Sequence, residues 1–364
     1  MRLALDEQIF AVQKHGGISR LFFEMARAFA NTPELDLELE PLNAPIINEY
    51  VLGDGQLRDL LGVSPARGPY SALAHYFGRM RKSSPVDLVH NTFYLPRGLS
   101  EFSAAKRVVT IYDMIPEILP KSRRRLDFIT KKRAYVQHAD HIICISESTR
   151  RDLLRIYPEV RVPISIAYPG VSPQFTPSSH CPVFLPVPYI LHMGNRSDYK
   201  DASTLFRAFA AISRTVPDFS LLLVGGGSLT RDERLALEAL GISERVQQRT
   251  LADVDVPFAY SNAAVTVFPS RYEGFGLPAV EAMAAGSPLL LAHTSSLPEV
   301  GGSAAQYFPV GSDVALAQLL REVLFSDALR SEMRREGFKQ ARRFTWHGYA
   351  LANADAYRYV LGMT

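Results

Sequence analysis

Residues 270–286 read SRYEGFGLPAVEAMAAG and place two carboxylates, Glu273 and Glu281, around a glycine-rich turn. Pro278 suits the first turn of a helix, where its missing N–H would lack a partner in any case, and Gly286 suits the residue after the last turn. The helix should begin just beyond Gly274, Phe275 and Gly276. Its uncapped N–H groups carry partial positive charge and the glycines admit a ligand to the backbone, which makes an anion site suited to phosphate. Glu273 precedes the turn and Glu281 lies inside the helix, so the two cannot meet one atom from one helical face. They read as hydrogen-bond acceptors for two hydroxyl-bearing parts of one ligand. Taken alone, the turn also fits a plain strand-turn-helix unit in which Glu281 is a favourable charge early in a helix.

Two other chemistries match the local spelling but not its context. Gly274, Gly276 and Ala279 have the G-x-G-x-x-A spacing of a dinucleotide fold, which needs an acidic residue about twenty positions on to hold the ribose. Here the next strand ends Leu291, Ala292, His293, and the first carboxylate beyond it, Glu299, follows Pro298 in a loop. Asp253 and Asp255 spell the D-x-D of metal-dependent sugar transfer, yet they stand at a helix start, where Asp is a routine cap. No metal is expected.

The elements that position these residues follow from composition and periodicity. A length of 364 residues suggests two domains, and 47% apolar with 21% charged residues is ordinary for a globular chain. The net charge of +3 falls short of a dedicated nucleic-acid binder, so an anionic partner must be met locally. Cys144 and Cys181 are too few for a disulfide framework and fit a reducing cytoplasm. Asp6, Glu7, Lys14 and His15 interrupt any signal-peptide core, and no apolar run reaches the ~18 residues of a spanning helix. Apolar runs at 104–113, 141–146, 189–194, 219–227, 263–270 and 287–293 alternate with helical patterns, which argues for parallel sheets with crossover helices. Six prolines between 168 and 189 mark a connector. The expected division is a first domain over 1–175, a linker over 176–188 and a second domain over 189–344, with a ligand cleft between them. The last stretch, 345–364, has helical spacing with Trp346, Tyr349 and Tyr357 on an apolar face expected to pack back on the first domain.

The run FPSRYEGFGLPAVEAMAAGSPLL (268–290) resembles the donor-site signature of glycosyltransferase family 4. KHGGISRLFFEMARAF (14–29), VDLVHN (86–91), VVTIYDMIPEILP (108–120), ADHIICISESTRRDLL (139–154), ILHMGNRSDYKD (190–201) and SSLPEVGGSAAQYF (295–308) follow in the family's order, so the resemblance covers nearly the whole chain. It implies an α/β fold of GT-B architecture: two Rossmann-like, doubly wound parallel-sheet domains facing a central cleft. By resemblance Glu273 accepts hydrogen bonds from the transferred sugar, Glu281 from the nucleotide ribose, and the N–H groups of Gly274, Phe275, Gly276 and Leu277 touch sugar and phosphate. Gly16 and Gly17 bring backbone to the diphosphate from the first domain. Arg196 and Lys200, four apart, supply cations to the diphosphate, with Lys200 the closer match to the family's spacing. His90, with Asn91 competing for the role, meets the sugar. Asp113 orients the acceptor hydroxyl, while Tyr112 stands where many members have histidine and puts a general-base role there in doubt. Backbone bonds from loops such as 225–227 and 245–249 read the nucleobase.

The function implied is a metal-independent, retaining hexosyltransferase without cofactor, moving sugar from a nucleoside-diphosphate donor to a saccharide or lipid-linked acceptor in surface-polysaccharide assembly. GDP-mannose is the donor suggested by the GGISR and YDMIPEILP segments. Alternatives on the same architecture are a nucleotide-sugar-binding protein without turnover and a UDP-sugar epimerase. Seven basic residues within 121–133, interleaved with Leu126, Phe128 and Ile129, read either as a solvated helix face or as a peripheral contact with an anionic membrane.

Overall fold

The computed structural model describes residues 1–66, 85–100, 105–119, 123–177 and 188–363. Most of the linker 176–188, together with Cys181, lies outside them. The chain forms two units, one of Met1–Gly170 with Trp346–Thr364 and one of Val171–Thr345.

The first unit is built on β1 (Arg2–Leu5), β2 (Glu38–Leu39), β5 (Leu88–Asn91), β6 (Lys106–Ile111), β7 (His141–Cys144) and β8 (Ile164–Ile166), all parallel, in the order β2-β1-β5-β6-β7-β8. A separate short pair joins β3 (Pro45–Ile46) to β4 (Ser64–Pro65). Leu88, Val89, Val108, Val109, Ile142 and Ile143 are fully buried, as strands covered on both faces require. The helix Gly17–Ala30 sets Leu21, Phe22, Met25 and Phe29 against the core, and each such side chain stabilises by roughly 1.5–3 kcal/mol. The final helix, Trp346–Leu361, packs on that helix and buries Tyr349, Ala350, Ala354 and Tyr357. The order reverses between β1 and β5.

The second unit contains β9 (Tyr189–Met193), β10 (Ser220–Val224), β11 (Val246–Arg249), β12 (Val265–Phe268), β13 (Leu289–Ala292) and β14 (Ala305–Phe308). They are parallel in the order β11-β10-β9-β12-β13-β14, a doubly wound sheet. The six apolar runs read from the sequence correspond to β6, β7, β9, β10, β12 and β13, so the α/β class stands. Among the described residues no helix is long and apolar enough to cross a membrane.

Candidate functional site

Open parallel sheets bind ligands beyond the C-terminal strand ends, where the strand order reverses. In the second unit that point lies between β9 and β12, which share only two register pairs, Ile190 with Val265 and Leu191 with Thr266. The loop 194–201 leaves β9 and the loop 269–276 leaves β12. Lys200 on the first reaches Glu273 on the second, its Nζ donating to the two carboxylate oxygens at 2.7 and 2.9 Å. The Ser270 hydroxyl donates to Glu273 Oε1 at 2.7 Å. The Lys200 and Glu273 side chains are 18% and 11% exposed, so their attraction is less screened than at an open surface and both remain reachable.

Three side chains that sequence reasoning passed over hold this turn. Arg271 donates from its backbone N to Tyr199 O at 2.7 Å and from Nε to the buried Asp201 at 3.1 Å, which fastens the two loops together. Ser295 Oγ accepts the Glu273 N–H at 2.8 Å, while Ser296 Oγ donates to the carbonyls of Glu273 and Phe275 at 3.1 and 2.9 Å. For the two serines the unused signal was a pair of hydroxyls shortly after an apolar strand. The helix Leu277–Ala284 then starts at Gly276, whose φ of +98° demands glycine, and carries Pro278 in its first turn and the buried Glu281 in its second. Phosphate-seeking N–H dipoles, an ammonium and two carboxylates are thereby gathered on two adjoining loops and one helix.

Arg196 is not brought to Lys200. Its guanidinium turns to Glu233 and to the carbonyls of Gly225, Gly227 and Ser228. The stretch 245–249 also differs from expectation. Residues 246–249 form β11, and Arg245 binds the carbonyls of Ser213, Val216 and Phe219, leaving only Arg249 beside Gly225 at the strand end. Asp255 occupies the N-cap position of the helix Val256–Ser261, but its side chain makes no capping bond. His192, buried in β9 and bonded to Val267 O at 3.2 Å, is pushed down to about 4 by burial and stays neutral.

In the first unit, Gly16 and Gly17 open the helix Gly17–Ala30, with Gln13 Oε1 accepting the Ser19 N–H at 3.0 Å. His90, expected at the sugar, is enclosed: Nδ1 lies 2.6 Å from the Tyr357 hydroxyl and Nε2 2.7 Å from Thr110 Oγ1. Burial holds its pKa down to about 3. Asn91 is equally buried and joins Asp6 (2.5 Å) to Arg107 (2.5 Å). Asp6 also accepts from the Thr92 N–H and hydroxyl, and burial outweighs these bonds to raise it to about 6. A carboxylate closing the apolar strand RLAL was the unused signal for this network. Tyr112 is buried with its hydroxyl on Thr92 O, and Asp113 accepts the Ile115 N–H at 2.9 Å. Within the basic segment, Lys132 is buried against Glu117, and Lys131 and Arg133 pair with Asp127 and Glu159. Residues 121–122 and the side chains of 123–125 lie outside the described residues.

Two parallel sheets, the second doubly wound with Lys200 and Glu273 paired at its switch point, define a protein of the α/β class. Residues 184–340 match the family model "Glycosyl transferases group 1", and residues 15–175 match "Glycosyltransferase Family 4". The chain is 28% identical over 278 residues to O-antigen chain mannosyltransferase B of Escherichia coli, covering 73% of this chain and 72% of that one. It is 31% identical over 247 residues to a D-inositol 3-phosphate glycosyltransferase of Streptomyces avermitilis, across 61% of this chain and 52% of the relative, and so spans about half of that relative's length. The fold is that of a sucrose-phosphate synthase from Thermosynechococcus elongatus, with a TM-score of 0.74 at 19% identity over the full length of both chains. The chain belongs to glycosyltransferase family 4 and is a glycosyltransferase.

Proposed function

We propose that the chain transfers a hexose from a nucleoside-diphosphate sugar to a saccharide or lipid-linked acceptor, with retention of anomeric configuration and without a metal ion, in the cytoplasm during surface-polysaccharide assembly. The observation that carries this reading is the Lys200–Glu273 pair at the β9/β12 switch point, beside the start of the helix Leu277–Ala284. Mannose from GDP-mannose is the first candidate, supported by the similarity to an O-antigen mannosyltransferase.

The bond between the anomeric carbon and the diphosphate oxygen breaks, and positive charge develops on the sugar as negative charge develops on the leaving group. Lys200 and the N–H groups of residues 274–277 stabilise the leaving diphosphate, a preorganised electrostatic strategy that operates without a divalent cation. Glu273 accepts hydroxyls of the sugar and Glu281 those of the ribose. The acceptor oxygen attacks the face the diphosphate leaves, and the acceptor proton passes to a phosphate oxygen, giving a glycoside and a nucleoside diphosphate. Gly17 is assigned to the diphosphate and Asp113 to the acceptor hydroxyl.

Glu273→Ala and Lys200→Ala are each expected to lower transfer by about 10²-fold or more, the scale of removing one preorganised group from a transition state. EDTA should leave turnover unchanged. Wild-type rates in both variants would overturn the site, and activity lost to EDTA and restored by manganese would overturn metal independence.

A further inference from the structure

Arg196 lies three residues past β9, and its side chain is 3% exposed. Nε donates to Glu233 Oε1 at 2.7 Å, Nη1 to Gly225 O at 2.7 Å, and Nη2 to the carbonyls of Gly227 and Ser228 at 2.9 and 3.2 Å. These carbonyls converge because Gly225, Gly226 and Gly227 adopt φ of +84°, +71° and +71°, a left-handed run open to glycine alone. A Cβ on Gly226 would stand 2.7 Å from Arg196 Nη1 and 3.1 Å from Asn195 Cα, so the loop is fitted around the guanidinium. Glu233 extends the arrangement: its Oε2 accepts the Thr230 N–H at 2.7 Å within the capping box that opens the helix Arg231–Ala239. One planar fork thus fixes the chain from Gly225 to that helix.

A guanidinium with four bonds to protein is committed to its loop, whereas the Lys200 ammonium, bonded to Glu273, stands at the switch point on a partly exposed stem. β10 pairs with β9 along the full length of both strands, so the loop 225–228 adjoins the switch point on the side away from β12. In a sheet of this order the phosphates of a bound dinucleotide stay at the switch point, and its ribose reaches toward the end of the second strand. We propose that Arg196 is a positioning residue that shapes the loop 225–228 to receive the nucleoside end of the donor, and that the Arg196–Glu233 pair sets nucleoside preference without contacting the diphosphate. This rests on the nucleotide-sugar reading above.

The test compares Arg196→Lys, which keeps a charge but loses the fork, with Glu233→Gln, which touches no phosphate. Amide exchange across 225–230 should accelerate in both. Titrations with GDP, UDP and ADP should show the preferred nucleotide weakened about tenfold in both, the scale of one charge-assisted hydrogen bond, and discrimination among the three reduced. Inhibition by inorganic pyrophosphate should be unchanged in these two variants and weakened in Lys200→Ala. Exchange at 225–230 that matches wild type in both variants overturns the positioning role, whatever the donor. Equal losses of pyrophosphate and nucleotide in Arg196→Lys, with Glu233→Gln silent, would place Arg196 on the diphosphate and overturn the proposal. Wild-type protein that binds none of the three nucleotides overturns the donor reading itself, and with it the specificity role, a result separate from the exchange measurement.

Discussion

A methyl group added at Gly17 would meet open space, with no heavy atom within 4 Å. Gly17→Ala is therefore expected to fold with stability within about 0.5 kcal/mol of wild type, as for a surface substitution, while donor KM rises. Thermal unfolding and donor kinetics on the same preparation check both halves. His90 makes the opposite kind of claim, about a group that stays neutral. Its folded pKa of about 3 lies below the ordinary 6.5, so on acidification the unfolded chain takes up the proton first. Stability is then lost as pH falls from about 6.5 toward 3, by up to ~1.4 kcal/mol per pH unit. Asp6, raised from 3.8 to about 6, acts in the reverse sense and nearly cancels this between pH 6 and 4, leaving His90 dominant below. The His90 imidazole resonances are expected not to titrate between pH 8 and 5 by NMR. Glu273 and Lys200 were legible because one contiguous motif and one short loop spell them. Ser295, Ser296 and Asp201 were not, because they act through backbone and ion-pair contacts 21 to 70 residues away. His90 was misread because a strand buried on both faces gives no alternation to say which side chains reach solvent.

Among the elements, the helix Arg123–Gln137 shows how a charge run misleads. Lys132 Nζ donates to Glu117 Oε2 and to Asp113 O, each at 2.9 Å, and the Tyr157 hydroxyl donates to Glu117 Oε1 at 2.9 Å. The Lys132 and Glu117 side chains are 2% and 4% exposed, so a basic residue counted with the surface patch is an interior strut under the Asp113 turn. Lys132→Met strands the Glu117 carboxylate and should destabilise the first unit by ~3–5 kcal/mol, whereas adding Glu117→Leu should recover most of the loss. Trp346, the only tryptophan, belongs to that unit, so its fluorescence during urea unfolding reports the comparison directly. Sequence periodicity found six of the strands, β6, β7, β9, β10, β12 and β13, and the helix after Gly276, because long apolar runs and Pro278 are local signals. It could not find the Lys132 partner, because Glu117 stands fifteen residues away on a separate short helix, Ile115–Ile118.

For the whole molecule, length and strand-helix alternation suggest two domains, and the chain divides into two compact units. Each unit carries its own strand order and its own reversal point. The small net charge of +3 conceals a basic residue spent on structure at Arg196 and another paired at Lys200, so composition could not say which cations were available to a ligand. Transfer of a hexose from a nucleoside-diphosphate donor with its anomeric configuration kept is checked by proton NMR of wild-type protein with GDP-mannose and a mannosyl acceptor. The α-anomeric donor signal is expected to decay only when acceptor is present, with stoichiometric GDP and a new α-mannoside signal; a β-mannoside product, or donor converted without acceptor, overturns retaining transfer.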